Sequence, residues 1–264
     1  MKIIVCVKQV PDTSGKVAVN PDGTLNRASM QTITNPDDMN AVEAALKLKD
    51  ATGCKVTVVT MGPPPAAGML RELMAMGADE GVLVSAREFG GSDTYATSQI
   101  LAAALSTLGV EKDDIVMCGR QAIDGDTAQV GPEIAEHLGL PQVTYALEAE
   151  LTDDGLTILK ECEDANQKIA VSLPCLVTFT KPSFDPRYPT IKRKLAANRA
   201  EIPVLGEDAF PDIDKTRIGL KGSPTHVKKS FVPPRKQGGV MIKEESNTAS
   251  AQKLVAMLSE AHLI

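Results

Sequence analysis

The chemistry of this chain concentrates in fourteen residues, Gly119-Arg-Gln-Ala-Ile-Asp-Gly-Asp-Thr-Ala-Gln-Val-Gly-Pro132. They follow a short apolar run, Ile115-Val-Met-Cys118, that reads as a buried strand, and they lead into a helical pattern from Thr127 to Leu138. A strand, a glycine-punctuated polar turn and a helix start bring unpaired backbone N–H groups and the positive end of a helix dipole to one place. That combination suits a phosphate or pyrophosphate. Gly119 and Gly125 are read as positions whose backbone geometry a side chain would forbid. Gln121, Thr127 and Gln129 add neutral hydrogen-bonding groups. The segment also reads as a structural turn, with Thr127 capping its helix and Asp126 facing the dipole. Asp124 and Asp126 oppose a bare phosphate unless their carboxylates point away.

The elements that position this loop alternate strand and helix. Ile3 to Val7, Val56 to Met61, Val82 to Ser85 and Ile115 to Cys118 are apolar runs fit for strands covered on both faces. Between them lie helical patterns opening at Asn35-Pro36, with Asn35 as cap and Pro36 at the first helical position, then Ala66 to Met76 and about Asp93 to Leu108. The alternation predicts an α/β fold, a doubly wound, mostly parallel sheet. After Pro141 the period changes: Val143 to Leu151, Leu156 to Cys162 and Ile169 to Leu173 read as added antiparallel strands around a hairpin turn at Asp153-Asp-Gly155, before Leu176 to Phe179 returns to a core strand. Two domains are expected, an α/β body over 1–185 and an extended basic arm over 186–264. Residues 186–245, with seven prolines, look too irregular to build a core of their own. The arm ends in an amphipathic helix from Thr248 to His262, with Ala251, Leu254, Val255 and Leu258 on one face.

Composition narrows the classes. The 264 residues carry a net charge of −6, yet 186–245 hold 13 Lys/Arg against 7 Asp/Glu. Aromatics make up 3% and Trp is absent, so a basic segment without stacking rings points to an acidic protein surface rather than to nucleic acid. No apolar run has the length of a membrane span and the start lacks a signal-peptide layout, so a cytoplasmic protein with no membrane insertion is expected. The five cysteines are widely spaced without a CxxC pair, and Cys6 and Cys118 read as core thiols. No metal-ligand cluster and no catalytic nucleophile or acid is expected. The three histidines, His137, His226 and His262, fall outside the candidate rim.

In a parallel sheet, ligands collect beyond the carboxyl ends of the strands. The loops there follow Val7, Met61, Ser85 and Cys118, and Asn35 to Asp38 can join the same rim. No Gly-x-Gly-x-x-Gly follows the first strand and no Walker lysine motif is present, so neither an ordinary dinucleotide-binding domain nor an ATPase is expected.

The fourteen-residue string resembles the signature of the beta subunit of electron-transfer flavoproteins. Val5-Cys-Val-Lys-Gln-Val-Pro-Asp12, Asn35-Pro-Asp-Asp38, Val58-Val-Thr-Met-Gly-Pro63, Ala75-Met-Gly-Ala-Asp79 and Asp185-Pro-Arg-Tyr188 match in order, so the resemblance spans nearly the whole chain. It implies a Rossmann-like fold of adenine-nucleotide-binding type, with a nucleotide contacting Cys6 through its backbone, Asn35, Pro36, Asp37 and Asp38 at a helix start, and Met61 on the adenine side. The phosphates would lie against Gly119, Arg120, Gln121, Ala122, Ile123, Asp124, Gly125, Asp126, Thr127, Ala128, Gln129 and Val130. Met61 and Cys6 read equally as core packing.

The family has two branches. One holds AMP as a structural ligand; the other, electron-bifurcating, holds FAD and accepts electrons from NADH. Val10, Pro11, Asp12 and Thr13, with Asn26-Arg-Ala28, resemble the bifurcating branch, although Pro11-Asp12 also reads as a plain turn. The implied role passes one electron to ferredoxin or flavodoxin. The other goes through the FAD of an alpha subunit, around which the arm reaches, to an acyl-CoA dehydrogenase, so the cofactor carries the redox chemistry. Rival readings are a beta subunit with structural AMP and a stand-alone universal-stress-type nucleotide-binding protein, against which the arm and Asp185-Pro-Arg-Tyr188 speak. A nucleotidyl-transferring enzyme would carry His-x-Gly-His or Ser-Gly-Gly-x-Asp-Ser, and neither occurs.

Overall fold

A computed structural model describes residues 1–12, 31–228 and 238–264, which form a compact unit, Met1–Lys228, and a second unit, Lys229–Ile264. Thr13 and Asn26-Arg-Ala28 lie outside the described residues. The first unit is built on a nine-stranded sheet. Its strands are β1 (Lys2–Cys6), β4 (Lys55–Met61), β5 (Glu80–Val84), β6 (Ile115–Gly119), β7 (Gln142–Thr152), β8 (Gly155–Lys160), β9 (Gln167–Val171), β10 (Cys175–Phe179) and the short β11 (Val204–Leu205). Their spatial order is β11-β5-β4-β1-β6-β10-β7-β8-β9. Every pair from β11 to β7 is parallel, and β7-β8-β9 is antiparallel.

Helices α1 (Pro36–Thr52) and α2 (Ala67–Met76) cover one face, and α3 (Thr94–Leu108) and α4 (Val130–Leu138) the other. Strand alternation divides the apolar residues between the faces. Ile3, Val5, Ile115, Met117, Val177 and Phe179 pack with α1 and α2, while Ile4, Cys6, Val116, Cys118 and Leu176 pack with α3 and α4. The mostly parallel, doubly wound sheet follows the expected pattern. Glycines end three of the helices: Gly53, Gly109 and Gly139 adopt the left-handed conformation at the ends of α1, α3 and α4.

Two expectations require correction, and one feature was not read from sequence. Val143 to Leu151 does not add an antiparallel strand to the core: β7 runs parallel to β10, which slots between β6 and β7, and only β8 and β9 are antiparallel. The compact unit also runs past residue 185 to Lys228. The segment there builds no core of its own; it fills gaps at the rim of the existing ones. Helix α5 (Ile191–Ala197) lies on α2, β11 extends the sheet beside β5, and Phe210 and Ile218 bury themselves among the α3-side residues. Arg187 fastens the start of this segment to α1, bonding both carboxylate oxygens of the buried Glu43 at 2.9–3.0 Å and Asp50 at 2.8 Å. Finally, the loop after β1 contains a small ladder not read from sequence, in which β2 (Gln9–Pro11) pairs antiparallel with β3 (Thr32–Thr34).

Within the second unit, α7 (Asn247–Glu260) is capped by Ser246, whose hydroxyl accepts from the Ala249 N–H at 3.1 Å. Leu254, Val255 and Met257 stand exposed.

Candidate functional site

The ends of β1, β4 and β6 and the first turns of α3 and α4 enclose a cavity of about 320 Å³. It opens beyond the carboxyl edge of the sheet, where a parallel sheet places its ligands. Cys6, Asp38, Met61, Gly119, Arg120, Gln121, Ala122, Gly125, Thr127, Ala128, Gln129 and Val130 all line it.

The fourteen-residue loop is longer than sequence suggested, because α4 starts at Val130 rather than Thr127. Gln129 stands at the N-cap without a side-chain capping bond, so neither Thr127 nor Asp126 caps the helix. The delay has a conformational cause: Asp126 and Ala128 take left-handed φ values of 52° and 54°, which helix does not allow. As a result, the N–H groups from Thr127 to Gly131 find no hydrogen-bond partner among the described residues. The five residues that carry these donors, and with them the start of a helix, line the cavity.

The charged side chains around the loop are already engaged. Lys8 holds Asp124 through both carboxylate oxygens, at 2.8 and 3.0 Å. Gln121 donates to Asp126 at 2.8 Å. Arg120 pairs with Asp37 at 3.2 Å, outside hydrogen-bonding geometry. The repulsion expected from Asp124 and Asp126 is thus met by local partners, and the anion-binding capacity of the loop rests on its backbone.

Asp38 organises the floor. Its Oδ2 accepts from the Lys8 N–H at 2.7 Å and its Oδ1 from the Gly119 N–H at 2.9 Å, so one carboxylate ties the ends of β1 and β6 to the start of α1. Burial pushes its pKa up to about 7, against the lowering effect of those same N–H groups and of Asn35. Burial likewise raises the carboxyl of Asp37. The thiol of Cys6 is pushed up to about 12 by burial and the neighbouring Asp38, and that of Cys118 also rises, so both are inert floor groups.

Asn35, fully buried, does not cap α1 with its side chain. It reaches across the rim instead, donating to the Gln121 carbonyl at 2.8 Å and accepting from the Ile123 N–H at 3.1 Å. Gly119 is needed for a reason other than the one inferred. Its φ is not left-handed, but a Cβ there would stand 2.5 Å from the Asp37 carbonyl carbon and from the Asp38 nitrogen and Oδ1. Gly131 is similar: a Cβ would meet Thr178 Cγ2 at 2.7 Å and Cys118 Sγ at 2.8 Å, so α4 packs directly on the sheet. Gly125 has open space around it among the described residues and no left-handed φ, so no packing demand from them calls for glycine there.

Several expected residues stand outside the cavity wall. Val10 is fully buried in the β2–β3 ladder, with Pro11 beside it, and the Asp12 N–H bonds the Gln31 carbonyl at 2.8 Å. Asn35, Pro36, Asp37, Ile123, Asp124 and Asp126 do not line the cavity either. Sequence reasoning missed the wall supplied by Ser92, Asp93, Thr94 and Thr97. The available signal was the loop after the third strand: Ser92-Asp93 is a capping pair, and Asp93 does cap α3 through the Ala96 N–H at 3.0 Å. His137 lies away from the cavity, 3.1 Å from Ser98 Oγ.

A family model described as "Electron transfer flavoprotein domain" matches residues 22–209. The acryloyl-CoA reductase electron transfer subunit gamma of Anaerotignum propionicum is 56% identical to this chain, with both chains covered in full. The electron transfer flavoprotein subunit beta of Clostridium acetobutylicum is 50% identical, again over the whole of both chains. Subunit CarD of the caffeyl-CoA reductase-Etf complex of Acetobacterium woodii is 47% identical over the same full extent.

Proposed function

The chain belongs to the electron transfer flavoprotein family as a beta subunit, and from that premise we propose that its rim cavity holds FAD reduced by NADH. The cofactor, when bound, supplies hydride acceptance from NADH and one-electron delivery in two directions. One is to ferredoxin or flavodoxin; the other is through the FAD of an alpha subunit to an acyl-CoA dehydrogenase. The observation that carries the nucleotide reading is the run of five N–H groups, Thr127 to Gly131, that have no partner among the described residues at the start of α4. A pyrophosphate matches such a cradle, since backbone donors hold negative charge without a cation. The relatives named for acryloyl-CoA and caffeyl-CoA reductases support the acyl-CoA dehydrogenase type of partner and the bifurcating branch.

The residues of this chain divide the work as follows. Thr127 to Gly131 hold phosphate oxygens. Met61, Leu101 and Ile134 give the cavity apolar wall that excludes water. Lys8 and Asp124 close the loop over the end of β1. No side chain acts as acid or nucleophile.

One observation favours structural AMP instead: at about 320 Å³ the cavity sits at the small end of ligand pockets, about 300–1,000 Å³, and suits a single adenylate. The nucleotides released by denaturing the purified alpha–beta complex decide between them. Two FAD per heterodimer and no AMP supports bifurcation from NADH, whereas one FAD and one AMP overturns it. We assign the exposed Leu254, Val255 and Met257 of α7 to contact with the alpha subunit. Deleting 229–264 is expected to leave the compact unit folded while heterodimer co-purification is lost; a truncated chain that still co-purifies refutes that assignment.

A further inference from the structure

The first turn of α3 and the segment that ends the compact unit are stitched together over a long sequence separation. Asp93 Oδ1 accepts from Ala96 N–H at 3.0 Å, capping α3, and Oδ2 accepts from Thr225 N–H at 2.8 Å. The Asp93 N–H donates to Ser223 Oγ at 2.8 Å, and that buried hydroxyl donates to the Gly219 carbonyl at 2.8 Å. Gly219 N–H donates to Ser92 Oγ at 3.1 Å, and Leu220 N–H to the Gly90 carbonyl at 3.1 Å. Gly219 is required there: its φ is +63°, and a Cβ would collide with the Glu88 carbonyl oxygen. Ser92, Asp93, Thr94 and Thr97 form a wall of the cavity, while Thr225 lies three residues before the compact unit ends at Lys228.

We infer that Asp93 is a positioning residue coupling the cavity wall to the root of the C-terminal arm, an inference that rests on the nucleotide reading of the cavity. A single carboxylate serves both sides. A nucleotide that fixes the first turn of α3 fixes Asp93, and Asp93 fixes Thr225. Thermodynamic linkage makes the effect reciprocal: whatever holds the arm tightens the nucleotide. Ser223 sets the backbone of Asp93 without reaching the cavity itself, so the latch can be opened from outside the binding wall.

The test uses the full chain in its alpha–beta complex, stripped of nucleotide, with AMP and FAD as probes. Their binding is measured calorimetrically, and tryptic cleavage after Lys221 and Lys228 is timed with and without each. In the wild type, a nucleotide that binds is expected to slow cleavage about fivefold or more. Ser223→Ala removes the hydroxyl, and Thr225→Pro removes the N–H that Asp93 accepts. Each variant is expected to weaken nucleotide binding about tenfold and to abolish the nucleotide-dependent protection. Asp93→Asn retains a capping oxygen but loses one acceptor, and is expected to keep the helix while losing the protection. A merely structural contact would change cleavage equally with and without nucleotide, which overturns the inference. Unaltered affinity and protection in both Ser223→Ala and Thr225→Pro overturns the latch alone. A wild type that binds neither probe overturns the nucleotide reading, and the latch with it.

Discussion

Replacing Gly119 with alanine tests the packing at the heart of the site. The added Cβ would stand 2.5 Å from Asp37 C, Asp38 N and Asp38 Oδ1. Nonbonded carbons prefer about 3.5–4.0 Å, so the first turn of α1 must withdraw by about 1 Å. Two of the three obstructing atoms are backbone, and the carboxylate is held by the Lys8 and Gly119 N–H groups, so no flexible end can swing aside. Withdrawal stretches the 2.9 Å bond from Gly119 to Asp38 past use. Overpacking costs about 1–3 kcal/mol and loss of a hydrogen bond to a charged group about 1.5–3 kcal/mol, giving about 3–5 kcal/mol in all. For a chain of this size that corresponds to a fall in melting temperature of about 6–20 °C. Thermal unfolding followed by circular dichroism, with Gly125→Ala as control, reads it out. Gly125 has nothing within 4 Å of a Cβ among the described residues and is expected to tolerate alanine. A Gly119→Ala variant within about 1 kcal/mol of wild type would refute the close-approach argument.

Asp38 has a folded-state pKa of about 7 against an unfolded value near 3.9, so the native state binds the extra proton between those values. Its contribution is complete below pH ~4 and lost as pH rises through ~7, a change on the order of 4 kcal/mol; urea titrations across pH should be steeper in wild type than in Asp38→Asn, and equal slopes would count against it. Arg187→Ala strands the buried Glu43 and is expected to cost about 3 kcal/mol, with Arg187→Lys failing to restore the fork of bonds; full stability of the lysine variant in chemical denaturation would contradict this. Ala128→Gly relieves a left-handed φ of 54° and is expected to stabilise the chain by about 0.5–1 kcal/mol, visible as a higher urea midpoint. A lower midpoint would show that the alanine is unstrained.

The sheet was legible in the sequence because its parallel strands are buried on both faces and appear as unbroken apolar runs, such as Ile3-Ile-Val-Cys-Val7 and Ile115-Val-Met-Cys118. The rim was legible because parallel strands place their loops at one edge, and the fourteen-residue motif falls there. Three kinds of feature were hidden. The pairing of β10 between β6 and β7 depends on contacts far apart in sequence, which local period cannot report. The role of Asn35 was misjudged since capping residues and rim-bridging residues share one chemistry, and only the fold shows that its amide faces Gln121 and Ile123. The packing of 199–228 was missed because isolated residues such as Phe210 and Ile218 carry no periodicity; each fills a gap between elements already formed.

The charge pattern of the site governs what mutagenesis can reveal. Lys8 and Arg120 are the cations along the cavity wall among the described residues, and each is paired with a carboxylate, Asp124 and Asp37. Removing either cation therefore frees a negative charge next to the loop, so alanine at Lys8 or Arg120 is expected to weaken an anion by repulsion even if neither residue touches it. Removing both members of the Lys8–Asp124 pair leaves the local charge unchanged. If the backbone donors of Thr127 to Gly131 hold the phosphates, the double variant binds nucleotide nearly as well as wild type while Lys8→Ala alone does not. If Lys8 itself is the ligand, the double variant is as weak as the single one, and the backbone cradle is refuted as the principal anchor.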